Sequence, residues 1–308
     1  MHLRFYPLRF EFRAEESLFF PPGKAANILR GALGTVFRKI ACAPQCESAR
    51  TCALRESCPY ARVFEPTATG AGPSGLADWP RPFVFRARHL DGRTVRPGES
   101  FSFDLHVFSL DQEVLAGFVR AFARLASEGL GPGRGKAELQ AGPVIEPVSL
   151  DLTPSPVSVR RIRVHFLTPT ELKHEDGIAE RPEFPILFGR IRDRIATLSR
   201  LYGDGALDID FQGSNARAAV VQMTACRLQR REGERRSSKT GQVHSIGGFV
   251  GEAEYEGDLG EFLPFLDAAR WTGVGRQSVW GKGEINTIWF PTRSGTCGRA
   301  PDCPSPGG

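Results

Sequence analysis

The feature that most constrains this chain occurs in it twice. "GLGPGRGKAEL" (Gly129–Leu139) and "GVGRQSVWGKGEI" (Gly273–Ile285) each follow a stretch with apolar residues at helical spacing, and each leads into a short β-rich run. Gly135-Lys-Ala-Glu-Leu matches Gly281-Lys-Gly-Glu-Ile at an offset of 146 residues, and Gly129-Leu-Gly matches Gly273-Val-Gly at an offset of 144. Glycines that end helices account for one such loop. Two, at a domain-sized interval, predict a duplicated architecture in which each half ends in helix, glycine-rich loop and strand. The 308 residues are enough for two ordinary domains.

Neither loop fits a nucleotide-cofactor motif. A dinucleotide fingerprint runs from strand into helix, and here the order is reversed. A phosphate-binding Walker loop needs Lys followed by Ser or Thr, whereas Gly283 follows Lys282. Positive charge nevertheless favours an anionic partner: the formal net charge is +5. The 41% hydrophobic and 24% charged composition suits a globular chain. No apolar run approaches the ~20 residues that span a membrane. "MHLRFYPLRFEF" lacks a signal-peptide core and reads as a first strand, so a cytoplasmic location is expected.

The periodicities give the order of elements. A strand near Leu3–Phe12 precedes a turn at Pro21–Gly23, and "KAANILRGALGTVFRKIA" reads as a helix with a basic face. Strands follow at Pro82–Arg88 and Ser100–Phe108, then a helix at Asp111–Glu128 and the first glycine-rich loop. The second half repeats this with "SVRRIRVHFLTPTELK", a helix at Glu183–Tyr202, strands in "RAAVVQMTACRL" and "HSIGGFVGEAEYEG", and a helix in "EFLPFLDAARW" before the second loop. The expected fold is α+β, two tandem ferredoxin-like βαββαβ domains of the kind RNA-recognition modules use. The boundaries are residues 1–145 and 157–292, with a linker at 146–156 and a Pro/Gly-rich disordered tail at 293–308 that holds Cys297 and Cys303.

Two clusters stand out on this frame. Cys42, Cys46, Cys52 and Cys58 are spaced C-x3-C-x5-C-x5-C inside the first domain. Reducing conditions disfavour disulfides, and four thiolates in one loop suit a structural zinc or, alternatively, an iron–sulfur cluster. Four protein ligands leave no open position, so the role is a staple rather than catalysis. "RLQRREGERRSSK" crowds Arg227, Arg230, Arg231, Arg235, Arg236 and Lys239 against two glutamates between two strand-like segments. This predicts a hairpin with a basic tip suited to a phosphate backbone.

The chain resembles the CRISPR-associated endoribonucleases of the repeat-associated mysterious protein (RAMP) superfamily, which process precursor CRISPR RNA. The resemblance rests on the order of "LRGALGTVFRKIAC", "CPYARVFEP", "RPFVFRA", "GLGPGRGKAEL", "VHFLTPTELK", "LSRLYG", "GGFVGEAEYEGDLGEFLPFL" and "GVGRQSVWGKGEI", over nearly all of residues 1–292. It implies two ferredoxin-like domains, a CRISPR repeat stem-loop as partner, and retention with other effector-complex subunits. It also implies cleavage without a catalytic metal, by 2′-hydroxyl attack that leaves a 2′,3′-cyclic phosphate and a 5′-hydroxyl. RNA contacts are then expected from Gly273, Gly275, Arg276, Gly281, Lys282 and Gly283, from Arg134 and Lys136, from Arg30, Arg38 and Lys39 on the first helix, and from Arg230, Arg231, Arg235, Arg236 and Lys239.

Many relatives carry a histidine on the first helix. This helix has none, and Thr35 stands about where it is expected. Lys24, His244 and Tyr6 are the candidates to move protons in its place. The alternatives are a catalytically inactive repeat-binding subunit, a structural backbone subunit of the same superfamily, and a metal-dependent nuclease or redox protein built on the cysteines.

Overall fold

A computed structural model describes residues 1–42, 46, 49, 51–66, 79–175, 177–236, 241 and 243–291. Lys239 and the expected tail at 293–308 lie outside the described residues.

The first half runs β1 (His2–Ala14), α1 (Ala25–Ala41), α2 (Pro59–Phe64), β2 (Phe83–Arg86), β3 (Ser100–Val107), α3 (Gln112–Glu128), β4 (Ala137–Ala141) and β5 (Val148–Asp151). The second half runs β6 (Val159–Thr170), α4 (Phe184–Tyr202), α5 (Phe211–Ala219), β7 (Gln222–Arg231), β8 (Glu234–Arg236), β9 (Val243–Ser245), β10 (Gly248–Glu256), α6 (Leu263–Thr272) and β11 (Ile285–Pro291). The main sheets are ordered β2-β3-β1-β4 and β7-β10-β6-β11. Numbered within each half, both read 2-3-1-4 with antiparallel neighbours, the ferredoxin-like order. The duplicated architecture is therefore present.

Three segments differ from the sequence expectation. Residues 148–151, inside the expected linker, form β5 and pair with His2–Phe5 of β1. Residues 211–219 form α5, where the start of "RAAVVQMTACRL" reads as strand; Asp210 caps this helix by accepting from the Gly213 N–H. α2 follows Cys58 directly, with proline in its first turn.

β1 belongs to two cores. Tyr6, Leu8, Phe10 and Phe12 face the core of the first domain, beneath α1 and α3. Leu3 and Phe5 project from the opposite face of the strand, and with Val84 and Phe108 they join the core of the second domain. The outer face of the first sheet is thus the floor of the domain interface. α1 contributes Leu29, Leu33, Val36 and Phe37 at helical spacing. The Asp111 carboxylate caps α3 by accepting from the Glu113 and Val114 N–H groups.

The C-terminus of α6 joins the two domains. Arg86 Nη2 donates to the Arg270 and Trp271 carbonyls, at 2.8 and 3.2 Å. His106 Nδ1 donates to the Trp271 carbonyl at 3.0 Å, and Arg194 Nε donates to the Thr272 carbonyl at 2.9 Å. Helix C-terminal carbonyls carry partial negative charge and no intrahelical partner, which is why donors from three other elements converge there. His106 also sits among Phe5 and Trp271. Burial, reinforced by the Arg86 charge, lowers its imidazole pKa to about 3. The folded protein keeps His106 neutral while the unfolded chain protonates it below about 6.5. Its contribution is therefore full above that pH and is lost as pH falls toward 3. Between about pH 7 and about pH 4.5, wild type is expected to lose about 2–3 kcal/mol more than His106→Gln, measured by urea unfolding. Equal losses would show that His106 is not held neutral in the folded state.

Candidate nucleic-acid interface

The second glycine-rich loop is clamped onto the start of α1. Lys282 is 6% exposed, and its Nζ donates to the Gly23 carbonyl at 3.1 Å. Burial lowers the Lys282 pKa, opposed by the nearby Asp91 carboxylate. Asp91 in turn accepts from the Ala25 N–H at 2.9 Å and so caps α1 from another part of the domain. Gly281 has a φ of +74°, and a Cβ there would lie 2.6 Å from Ala26 Cβ. At Gly275, with φ +75°, a Cβ would stand 2.2 Å from the Glu171 carbonyl oxygen. These two positions require glycine because protein atoms approach them.

The loop's amides are largely used inside the protein. The N–H groups of Gly273, Val274, Arg276, Trp280, Gly281 and Gly283 donate to backbone carbonyls, and that of Glu284 donates to the Thr168 hydroxyl. These amides therefore hold the loop in place between the two domains. What the loop presents to solvent is Arg276, whose guanidinium lies 3.6 Å from Glu171. Trp280 packs on the first-domain core, with the Arg30 guanidinium 5.9 Å from its ring.

Beside this clamp the domain interface opens into a groove. Its larger part, about 430 Å³, is lined by Arg88, His89, Asp104, Leu167, Arg270 and Glu284 among others. A smaller part shares Arg88 and Leu167 and reaches Gly23, Asp91, Thr168 and Lys282. Arg88 and His89 stand on the short turn Arg88–Leu90 just after β2, and both are exposed. His89 Nε2 is 2.7 Å from the Ser102 carbonyl oxygen. A carbonyl only accepts, so Nε2 carries the proton and the neutral ring keeps its lone pair on Nδ1. Burial raises the Asp104 pKa, opposed chiefly by the Arg9 guanidinium.

The basic hairpin of β8 and β9 rises from the same end of the second sheet. Gln277 Nε2 ties the glycine-rich loop to it by donating to the Ser245 carbonyl at 2.6 Å. Arg230 and Arg231 are exposed on β7 where it enters the hairpin, and Arg230 pairs with Glu232 at 3.2 Å. In the hairpin backbone, Arg235 stands opposite His244 and Arg236 opposite Val243. The outer face of the same sheet is different, because Arg161 and Arg163 both hold Glu254 there.

The other expected residues separate into those near the groove and those away from it. Lys24 is exposed at the N-terminal end of α1, next to Gly23. Arg38 and Lys39 sit at the far end of that helix: Arg38 Nη2 donates to the Cys46 carbonyl, and Lys39 pairs with Glu128 at 2.8 Å. Tyr6 is buried, and its hydroxyl accepts from Gln112 near the start of α3. That places it in the first-domain core, away from the groove's lining. Arg134 and Lys136 are exposed in the first loop, beside β4 at the edge of the first sheet opposite β2. Thr35 is exposed and donates to the Gly31 carbonyl.

Cys42 caps the C-terminus of α1 and Cys58 the N-terminus of α2. Burial, with the neighbouring Cys58 and Cys46 thiols, pushes the Cys42 thiol pKa up to about 12. Among the described residues, no set of three or more His, Cys, Asp and Glu side chains already stands in a metal-holding arrangement.

Comparisons with known proteins agree with this architecture. A family model for the CRISPR-associated endoribonuclease Cas6 matches residues 164–285. Over residues 164–285 the chain matches the Cas6 type. A second model, of the N-terminal domain AF_1859_N, matches residues 3–152. Among solved structures, the Thermus thermophilus Cas6 TTHB231 in a product complex is 18% identical with a TM-score of 0.56, covering 93% of this chain and all of that one. A product complex of Cas6 TTHA0078 is 16% identical with a TM-score of 0.54, covering 92% of this chain and 99% of that one. A chain of a partial Cas6-RT-Cas1–Cas2 complex is 11% identical with a TM-score of 0.53, covering 93% of this chain and 46% of that one. At these identities the structures establish the shared fold. No curated protein sequence matches this chain. No helix among its described residues is long and apolar enough to cross a membrane.

His89 and Arg88 are the residues that sequence reasoning missed. "RARHLDG" carries no periodicity or motif that marks it. The signal is tertiary: the turn ends at the groove because β2 lies at the sheet edge facing the second domain.

Proposed function

We propose that this Cas6-type chain binds the stem-loop of a CRISPR repeat and cuts the precursor RNA at the interdomain groove without a catalytic metal. The observation that carries this reading is the groove that Arg88, His89 and Arg270 line beside the point where Lys282 of the glycine-rich loop is bonded to Gly23, the residue before Lys24.

Cleavage by transesterification forms a bond from the ribose 2′-oxygen to phosphorus and breaks the bond from phosphorus to the 5′-oxygen. A base must take the 2′-hydroxyl proton, an acid must protonate the leaving oxygen, and cations must offset the charge that builds on phosphate. His89 Nδ1 is oriented to act as the base, since Ser102 holds the other ring nitrogen. Arg88, which lines both parts of the groove, and Lys24, exposed next to Gly23, offset the phosphate charge, and Lys24 is the candidate acid. The β8–β9 hairpin, with His244 and its arginines, holds the duplex by phosphate contacts, which position RNA without reading its sequence. After the cut the protein stays on its product as a subunit of the effector complex, in the cytosol.

The test is a cleavage assay on the host's own repeat RNA in excess EDTA. One cut, leaving a 2′,3′-cyclic phosphate and a 5′-hydroxyl, is expected. Tight binding without a cut would favour the second reading, a catalytically inactive repeat-binding subunit, for which the absence of a histidine on α1 is the supporting observation. Cleavage that needs added divalent metal would overturn the mechanism.

A further inference from the structure

We propose that Cys42, Cys46, Cys52 and Cys58 bind one structural zinc ion that fastens the loop between α1 and α2 to the first domain. The case begins with what that loop lacks. "APQCESARTCALRES" has few apolar residues, and Leu54 among them is exposed. Such a segment cannot hold its conformation by burial alone, and small polar segments of this kind depend on a covalent or metal staple.

The four cysteines are placed to supply one. Cys42 and Cys58 occupy facing helix ends, and those helices are packed together through Phe37 and Phe64, with ring centroids 5.4 Å apart. Cys46 and Cys52 come from the loop, and the Cys42 thiol has those of Cys46 and Cys58 as neighbours while the Cys46 thiol has that of Cys52. All four are free of disulfides.

The donor set favours zinc: four thiolates and no other donor suit a closed tetrahedral Zn²⁺ site. Four thiolates around Zn²⁺ leave a net charge of −2, and Arg38, bonded to the Cys46 carbonyl, is the nearby cation that offsets part of it. With four protein ligands the ion has no open position, so this site is independent of the RNA chemistry proposed above.

The test needs no RNA. The full chain is purified under reducing conditions without chelator, and its metal content is measured. About one zinc per chain is expected; iron with visible absorbance, or no metal on fully reduced thiols after incubation with Zn²⁺, would overturn the proposal. Co²⁺ exchanged into the wild-type protein is expected to show sulfur-to-metal charge-transfer bands and the ligand-field bands of a tetrahedral site; octahedral bands would count against it. Cys46→Ser and Cys52→Ser are each expected to lower zinc retention at least about tenfold, while Cys226→Ser leaves it unchanged. If the serine variants do not fold, the cobalt spectrum of the wild type still decides the question.

Discussion

Replacing His89 with alanine is expected to slow cleavage of repeat RNA about 10²–10⁴-fold, with RNA affinity changed less than about threefold. The side chain is exposed in the groove and buries nothing that its loss would expose. Water can take over its hydrogen bond to the Ser102 carbonyl at this exposed site. The effect should therefore fall on the chemical step. Two readouts separate a catalytic role from a structural one: single-turnover cleavage at saturating RNA, and recovery of the rate by added imidazole in the alanine variant. A His89→Ala protein that cuts at the wild-type rate would remove His89 from the mechanism and return the search to Lys24 and His244.

Gly281→Val is expected to destabilise the protein by about 3 kcal/mol and to abolish cleavage at assay concentrations. Two costs add. A β-branched residue is forced to a φ of +74°, and its Cβ must displace Ala26 at the start of α1. Relieving that contact moves the loop off α1, separates Lys282 from the Gly23 carbonyl and opens the groove where the two domains meet. Urea unfolding measures the first effect and the repeat-RNA assay the second. Gly133→Ala is the matched control, because a Cβ there meets nothing within 4 Å and its φ is unstrained. A Gly281→Val protein as stable as wild type would mean that the loop is not docked as described.

These two variants mark where the sequence was legible. The repeated loop, the helices around Leu29–Phe37 and Val114–Leu125, and the alternation of β1 are local periodicities, and each reads as the element it forms. Their order was enough to specify two ferredoxin-like units, because each half carries one complete set of strands and helices. The run of cations in the hairpin and the spacing of the cysteines were equally visible, since composition and spacing survive without coordinates.

The site was less legible, for a physical reason. Whether a lysine in a glycine-rich loop faces phosphate or protein depends on what packs against the loop, and Lys282 turned inward because α1 of the other domain lies there. The glycines that look like phosphate-binding residues are required by Ala26 and Glu171, which are distant in the chain. Tyr6 alternates like a strand residue on either face, and only the sheet order sent it into the first core. His89 follows no pattern and enters the groove because β2 ended at the domain interface. What the sequence alone determined is the set of elements, since these arise from neighbours along the chain. Which side chains meet at the groove was decided by the packing of one domain on the other, which brings together residues far apart in the sequence.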